Sequence, residues 1–255
     1  MYLVIDIGNT NIKCGLYQQR KLLLSWRVYA DSQKTSDEYG VEATTFLRHR
    51  GYSFKDVKGI IIASVKPQLN YTIEHMCEVF FDITPLLVSH DLHTGLHLQY
   101  DDPALLGADR IVNAVAALEK YGGPCITVDF GTATTLGAIS RRGDFLGGSI
   151  CPGIRISTDA LIHNTSMLPN IQFQKPPSVI CKDTISSMQS GIIYGLVGQV
   201  DTLVSRMKVE MAEPSAKVIA TGGMSQVIAS ESSVIDVTDS LLTLEGLSIL
   251  YLKNS

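Results

Sequence analysis

The chain has 255 residues, of which 45% are hydrophobic and 18% charged, and its formal net charge at pH 7 is −4. This composition is that of an ordinary globular protein, and it excludes a disordered chain. The acidic balance argues against a general nucleic-acid binder, which needs a basic face. The length allows one large domain or two small ones.

The cysteines and the apolar runs indicate the kind of compartment. The five cysteines are odd in number and include no C-x-x-C pair, so neither a disulfide framework nor a zinc site is indicated. The apolar runs are too short to span a membrane, and Asp6 interrupts the N-terminal one, which has no basic region ahead of it. We therefore expect a soluble, cytoplasmic protein that binds neither nucleic acid nor membranes.

The first half of the chain opens with three short strands joined by tight turns, which is typical of an antiparallel meander. A fully apolar run then predicts a buried central strand. In chain order, the pattern predicts strands at about 2–7, 12–18 and 21–28, a helix near 36–50 with a cap around Ser36, a strand at 59–64, a helix from Pro67 to about Phe80, and a strand at 86–88.

The second half repeats this order after a helix that runs from Ala104 to Lys120. The pattern predicts strands at about 125–130, 134–140 and 143–150, a helix near 153–163, a long helix from 184 to 209, a strand at 218–220, and a closing helix near 240–251. No linker-like segment separates the halves. We therefore predict a duplicated fold of two tightly packed lobes, residues 1–105 and residues 106–255.

Two similar stretches lie about half the chain apart. They are Asp6-Ile7-Gly8-Asn9-Thr10-Asn11-Ile12-Lys13 and Asp129-Phe130-Gly131-Thr132-Ala133-Thr134-Thr135-Leu136. Each reads as a strand, an acidic residue, a glycine turn rich in hydroxyl or amide groups, and a second strand. Such turns let the backbone approach a phosphate and donate N–H groups to it. With the late Thr221-Gly222-Gly223 loop, they predict a nucleotide triphosphate site in a cleft between the lobes.

Two acidic residues, Asp6 and Asp109, each have two interpretations. Asp6 could hold Mg²⁺ through water beside the phosphates, or it could cap a hairpin turn. Asp109 could be the carboxylate that a kinase needs near its acceptor hydroxyl, or it could favour the positive end of a helix. Arg110 could bind a carboxylate-bearing acceptor with two parallel hydrogen bonds.

The sequence lacks the Walker A motif and the H-E-x-x-H motif, so a P-loop protein and a metal hydrolase are not indicated.

The hairpins and the Thr-Gly-Gly loop resemble the superfamily of acetate and sugar kinases, heat-shock chaperones and actin. Within it, the chain resembles the type III pantothenate kinase family most closely. The matching segments follow family order over essentially the whole chain and are Asp6 to Lys13, Gly107 to Arg110, Asp129 to Thr132, Gly147-Gly148, Pro152 to Ile154, Ser187 to Gly191, Tyr194-Gly195, Thr221 to Gly223, and Leu244 to Leu247.

This resemblance implies an α/β protein with a duplicated ribonuclease H-like fold, as in actin-like ATPases. Each lobe would hold a mixed five-stranded sheet flanked by helices, and ATP would bind in the cleft between the lobes. The implied activity is ATP-dependent phosphorylation of pantothenate to 4'-phosphopantothenate, the first step of coenzyme A biosynthesis. The family also implies a homodimer.

The family's functional residues carry over onto matching positions. ATP would be bound by Asp6, Ile7, Gly8, Asn9, Thr10, Asn11, Ile12, Lys13 and Thr132, with Mg²⁺ held through water at Asp6. Asp109 would be the catalytic residue that accepts the hydroxyl proton. Pantothenate would be held by Tyr100, Gly107, Ala108, Asp109, Arg110 and, from the partner subunit, Thr184. Asp129 would bind a monovalent cation, K⁺ or NH₄⁺.

Two alternatives to this function remain. One is a kinase of the same superfamily that acts on a sugar, acetate or another small hydroxy substrate. The other is an ATP-binding regulatory or accessory protein without enzymatic activity. The acceptor segment from Tyr100 to Arg110 would distinguish a pantothenate kinase from a kinase of another substrate. A requirement for an intact Asp109 would distinguish a kinase from an ATP-binding protein without activity.

Overall fold

The computed structural model describes all residues from Met1 to Ser255. Its strands are β1 (Tyr2–Ile7), β2 (Asn11–Gln18), β3 (Lys21–Tyr29), β4 (Ile60–Ser64), β5 (Leu86–Leu87), β6 (His97–Leu98), β7 (Cys125–Phe130), β8 (Ala133–Ile139), β9 (Asp144–Pro152), β10 (Lys217–Gly222) and β11 (Val237–Thr238). Its helices are α1 (Ser36–His49), α2 (Asn70–Phe81), α3 (Ala108–Tyr121), α4 (Ile154–His163), α5 (Thr184–Glu210), α6 (Ser225–Ala229) and α7 (Leu242–Asn254). The chain forms two compact units, Met1–Ala116 with Leu241–Ser255, and Ala117–Ser240.

The first unit is built on a mixed sheet with the strand order β3-β2-β1-β4-β5. β1 pairs antiparallel with β2 and parallel with β4, and all of its residues are buried. The apolar residues of β1 and β4 account for this position, because a strand covered on both faces must be apolar on both. The helix α1 begins at a capping box in which Thr35 and Glu38 bond each other's backbone N–H groups, so the cap lies one residue before Ser36.

The second unit repeats this topology with the order β11-β10-β7-β8-β9. β7 takes the place of β1, since it pairs antiparallel with β8 and parallel with β10. The 27-residue helix α5 packs its apolar stripe, Ile193, Val197, Val200 and Val204, into the core of this unit. The predicted fold class, a duplicated α/β fold with two mixed sheets flanked by helices, is therefore confirmed, except that the second sheet has six strands and not the predicted five.

The bounds of the units differ from the predicted lobes, because residues 106–116 and 241–255 belong to the first unit. The helix α7 packs on β1 and β4 and also against the start of α3. A Cβ on Gly246 would lie 2.3 Å from the carbonyl oxygen of Val112, so the two helices approach as closely as a glycine allows. The hydroxyl of Thr243 donates to Asn113 Oδ1 at 2.8 Å in the same contact.

The remaining differences concern short elements. The helix predicted from Ala104 begins at Ala108, because Pro103–Leu105 forms a separate 3-10 turn capped by Asp102, and Leu106 after it is extended. The helix α6 and the two-residue strands β6 and β11 were not predicted from the sequence. No helix of the protein combines the length and hydrophobicity that crossing a bilayer requires.

Candidate functional site

The first glycine turn lies at the carboxyl end of β1. Asp6 is opposite Lys13 in the β1–β2 pairing, and the Gly8 N–H donates to the Asn11 carbonyl at 3.0 Å to close the turn. The Asp6 carboxylate is almost fully buried, and its Oδ2 lies 3.4 Å from the Lys13 Nζ. The structure therefore brings Asp6 to Lys13 together as one hairpin with an acidic and a basic side chain at its base.

Lys66, just beyond the carboxyl end of β4, belongs to the candidate site but was not predicted from the sequence. β4 runs parallel to β1, and the Nζ of Lys66, two residues beyond β4, donates to the carbonyls of Ala30 at 2.5 Å and Asn9 at 3.3 Å. Parallel strands deliver their carboxyl ends to the same edge of a sheet, which is where α/β folds bind ligands. The available sequence signal was a lysine two residues after the buried strand predicted at 59–64.

The second glycine turn repeats the first at the end of β7. The Gly131 N–H donates to the Ala133 carbonyl at 3.1 Å, and Thr132 is exposed at the tip of the turn. Gly222, at the end of the parallel strand β10, has a φ of +94°, and a Cβ there would lie 2.7 Å from Asp129 Oδ1 and 2.6 Å from the Phe130 carbonyl oxygen. A glycine at this position thus lets two oxygen atoms of β7 approach the β10 backbone closely.

The segment at the start of α3 brings the predicted acceptor residues together. Asp109 lies in the first turn of the helix, and its Oδ1 accepts a hydrogen bond from the Arg110 N–H at 2.8 Å. Arg110 is only 7% exposed, its NH1 group donates to the Tyr100 hydroxyl at 3.4 Å, and its guanidinium lies 5.7 Å from the Tyr100 ring centre. A carboxylate, a buried guanidinium and a phenol thus lie close together at the start of α3.

Thr184 is the first residue of α5 and is exposed. It lines an open cleft of about 810 Å³ together with Ser157, Leu161, Asp183 and Met188. Asp183 caps the helix by accepting from the Ser186 N–H at 2.9 Å, and the hydrogen bonds from Ser186 lower the pKa of the Asp183 carboxyl below its usual value. The cleft is polar on the side of the helix end and apolar on the side of Leu161 and Met188.

Three of the five cysteines, Cys14, Cys77 and Cys125, are buried. Burial raises the pKa of the Cys77 and Cys125 thiols to about 12, and it raises the pKa of Cys14 further. These thiols are therefore uncharged at neutral pH, and uncharged thiols are poor nucleophiles. No group of three or more His, Cys, Asp or Glu side chains is placed to hold a metal ion.

Comparisons with known proteins give the relationship of the whole chain. The sequence model of the type III pantothenate kinase family matches residues 2–206. The chain is similar to a type III pantothenate kinase from Halalkalibacterium halodurans, with 51% identity over 254 residues and all of both chains covered.

Solved structures with the same fold are more distant in sequence. A putative Baf family transcriptional activator from Campylobacter jejuni has a TM-score of 0.62 at 19% identity, with 99% of this chain and 98% of that chain covered. A putative 2-dehydro-3-deoxygalactonokinase from Sinorhizobium meliloti has a TM-score of 0.62 at 13% identity, with 99% and 96% covered. At these identities the likeness establishes the shared fold and nothing more.

The repeated mixed sheets with their glycine hairpins define a protein of the actin-like ATPase fold. The full-length relationship at 51% identity is far more specific than the fold. The chain belongs to the type III pantothenate kinase family.

Proposed function

We propose that this chain transfers the γ-phosphoryl group of ATP to the terminal hydroxyl of pantothenate, which forms 4'-phosphopantothenate and ADP in the first step of coenzyme A biosynthesis. The observation that carries the proposal is the relationship to a type III pantothenate kinase over the entire length of both chains. A match of that extent spans both glycine hairpins and the segment at the start of α3.

The acceptor is proposed to bind at the start of α3. The Arg110 guanidinium suits the pantothenate carboxylate, because its planar fork can make two parallel hydrogen bonds. The contact with the Tyr100 hydroxyl holds Arg110 in place. Asp109 orients the hydroxyl oxygen in line with the phosphorus and accepts the proton as the new P–O bond forms and the bond to ADP breaks.

The donor ATP is proposed to contact the hairpin from Asp6 to Lys13 and the hydroxyl group of Thr132. Asp6 fits a role beside Mg²⁺, since Mg²⁺ is usually held by one or two carboxylates together with phosphates and water rather than by a protein cage. When bound, Mg²⁺ would neutralise charge on the phosphate oxygens. The turn N–H groups and Lys13 would position the phosphates, and positioning with charge neutralisation makes up most of the catalysis in phosphoryl transfer.

A monovalent cation, K⁺ or NH₄⁺, is proposed to bind at Asp129. The donor set is appropriate, because the Asp129 carboxylate and the Phe130 carbonyl both lie beside Gly222. Both donors are hard oxygen atoms, and hard cations prefer such ligands to thiolate or imidazole groups. The cation would add positive charge near the exposed hydroxyl of Thr132.

Lys66 supports the proposed phosphate hairpin, and replacing it tests that role. Lys66→Met removes the charge and both hydrogen bonds to Asn9 and Ala30. We therefore expect the KM for ATP to rise about 3- to 10-fold, which corresponds to about 0.6–1.4 kcal/mol, the range of a typical net hydrogen bond. The KM for pantothenate should stay unchanged, and Lys66→Arg should restore part of the loss. Steady-state kinetics, with the exposed Lys55→Met as control, measures this. An unchanged KM for ATP would exclude Lys66 from nucleotide binding.

A homodimer in which Thr184 reaches the partner's pantothenate is also part of the proposal. Two exposed apolar residues, Met167 at 90% and Ile180 at 85%, directly precede Leu168 and Cys181, which line the cleft together with Thr184. Exposed apolar patches of this kind often mark protein–protein interfaces. Sedimentation equilibrium that gives twice the chain mass would support the dimer, and a monomer at micromolar concentration would contradict it. The cytoplasmic location remains a prediction.

The acceptor is the property to test first, because the fold is shared with kinases of other substrates. In a coupled assay of ADP release, we expect turnover with pantothenate, and much less with sugars or acetate at equal concentration. Omitting K⁺ and NH₄⁺ should lower the rate if a monovalent cation acts at Asp129. Turnover with a sugar and none with pantothenate would favour the alternative kinase, and no turnover with any acceptor would favour an ATP-binding accessory protein.

A further inference from the structure

The Asp109 carboxylate lies directly against the backbone of Gly107. A Cβ built on Gly107 would be 2.6 Å from Asp109 Oδ1. That distance is well inside the separation of about 3.5 Å at which non-bonded heavy atoms begin to attract rather than clash. The carboxylate therefore occupies the space that any other residue at position 107 would fill.

No other feature of the structure explains a glycine at this position. The next atoms around the added Cβ are Asp109 Cγ and Val65 Cγ1, both at 3.8 Å, which is ordinary contact. The φ of Gly107 is not among the positive values that favour glycine. Backbone strain and packing would both admit an alanine, so the conflict is with the carboxylate alone.

We propose that Gly107 is a positioning residue for Asp109. This inference rests on the proposed function, in which Asp109 accepts the hydroxyl proton. Without a Cβ at position 107, the carboxylate folds back over the first turn of α3 and accepts the Arg110 N–H at 2.8 Å. That hydrogen bond holds Asp109 Oδ1 against the first turn of α3, and the positive end of the helix favours the negative charge of the carboxylate.

A methyl group at position 107 would force the Asp109 side chain into another rotamer. The carboxylate would lose the hydrogen bond from the Arg110 N–H and would be displaced by about 1 Å. A displacement of about 1 Å in a catalytic group can cost about 100-fold in rate. We therefore expect Gly107→Ala to lower kcat by about that factor, while the KM for ATP changes little because the phosphate hairpin is untouched.

Gly107→Ser separates positioning from folding. Position 107 directly precedes the first residue of α3, and serine is preferred to glycine at such a helix cap. This variant should keep or raise the thermal midpoint and still lose kcat. The control Gly198→Ala adds the same methyl group on α5, where no atom lies within 4 Å, and should keep both activity and stability.

A double-mutant cycle with Asp109→Asn gives the decisive readout. If Gly107 acts through Asp109, Gly107→Ala should lower kcat about 100-fold in the wild-type background and by less than about 3-fold in the Asp109→Asn background, since coupled residues are not additive. Full kcat in Gly107→Ala, or an equal loss in both backgrounds, would overturn the inference while leaving the proposed function standing. Full activity of Asp109→Asn alone would overturn the role of Asp109 on which the inference depends, whereas an unmodified enzyme that does not phosphorylate pantothenate would overturn the proposed function itself.

Discussion

Asp109→Asn is expected to lower kcat for pantothenate phosphorylation by about 10²- to 10⁴-fold, the usual contribution of a positioned general base. The amide cannot accept the hydroxyl proton. Its oxygen can still accept the Arg110 N–H that Asp109 Oδ1 accepts at 2.8 Å, so the start of α3 should keep its structure. The KM for pantothenate should change little, because the variant loses an interaction that forms in the transition state.

A matched control exists seven residues earlier. Asp102 caps the 3-10 turn with a similar hydrogen bond, from the Ala104 N–H at 3.0 Å, and it is exposed. Asp102→Asn makes the same chemical change at a capping carboxylate that has no proposed part in catalysis, and it should retain wild-type kcat. Steady-state kinetics of both variants separates the two roles. A kcat of Asp109→Asn within about threefold of wild type would mean that Asp109 is only a helix-terminal acid.

Arg110→Lys is expected to raise the KM for pantothenate about 10- to 100-fold. Lysine keeps the charge but lacks the planar fork that binds a carboxylate at two points. A hydrogen bond to a charged group contributes about 1.5–3 kcal/mol, and each 1.4 kcal/mol or so is a factor of ten in affinity. The shorter side chain also loses the contact with the Tyr100 hydroxyl.

The acceptor's carboxylate provides an internal control for this variant. With an analogue in which a neutral hydroxymethyl group replaces the carboxylate, wild type and Arg110→Lys should have similar KM values. The exposed Arg48→Lys, at the end of α1, should behave as wild type with both acceptors. An equal rise in KM for pantothenate and for the neutral analogue would show that Arg110 supports the local structure and does not bind the carboxylate.

The strands that carry the glycine hairpins could be predicted because their signal is local. An apolar run, an acidic residue and a glycine turn occur together in both β1–β2 and β7–β8, and the antiparallel pairing follows from the short turns. The duplication was visible for the same reason, since each unit begins with a three-stranded antiparallel meander that is followed by helical segments and a buried parallel strand. The long helices α3 and α5 were also predictable from their apolar periodicity.

Elements that depend on tertiary contacts could not be predicted. The strand β11 has two residues, and it exists because it pairs with β10. The apolar stripe of α7 predicts a buried helix, but it does not specify the sheet against which the helix packs. The predicted boundary between the lobes therefore differs from the boundary between the compact units. The start of α3 was misplaced because Pro103 is equally suited to a 3-10 turn and to a helix start.

The site shows the same division between local and tertiary information. The residues of the hairpins and of the segment from Gly107 to Arg110 could be named from motifs. The position of Lys66 beside Asn9 required the parallel pairing of β4 with β1, which no local pattern specifies. The close approach of Gly222 to Asp129 required the register between β10 and β7, in which Thr221 lies opposite Asp129.

The central claim is that this chain phosphorylates pantothenate, and direct identification of the product tests it. The purified chain is incubated with ATP, Mg²⁺, K⁺ and pantothenate, and the mixture is followed by phosphorus NMR and mass spectrometry. We predict that a phosphomonoester of pantothenate on its terminal hydroxyl accumulates in equal amount to ADP. Release of ADP without that phosphomonoester, or no consumption of ATP at all, would contradict the claim.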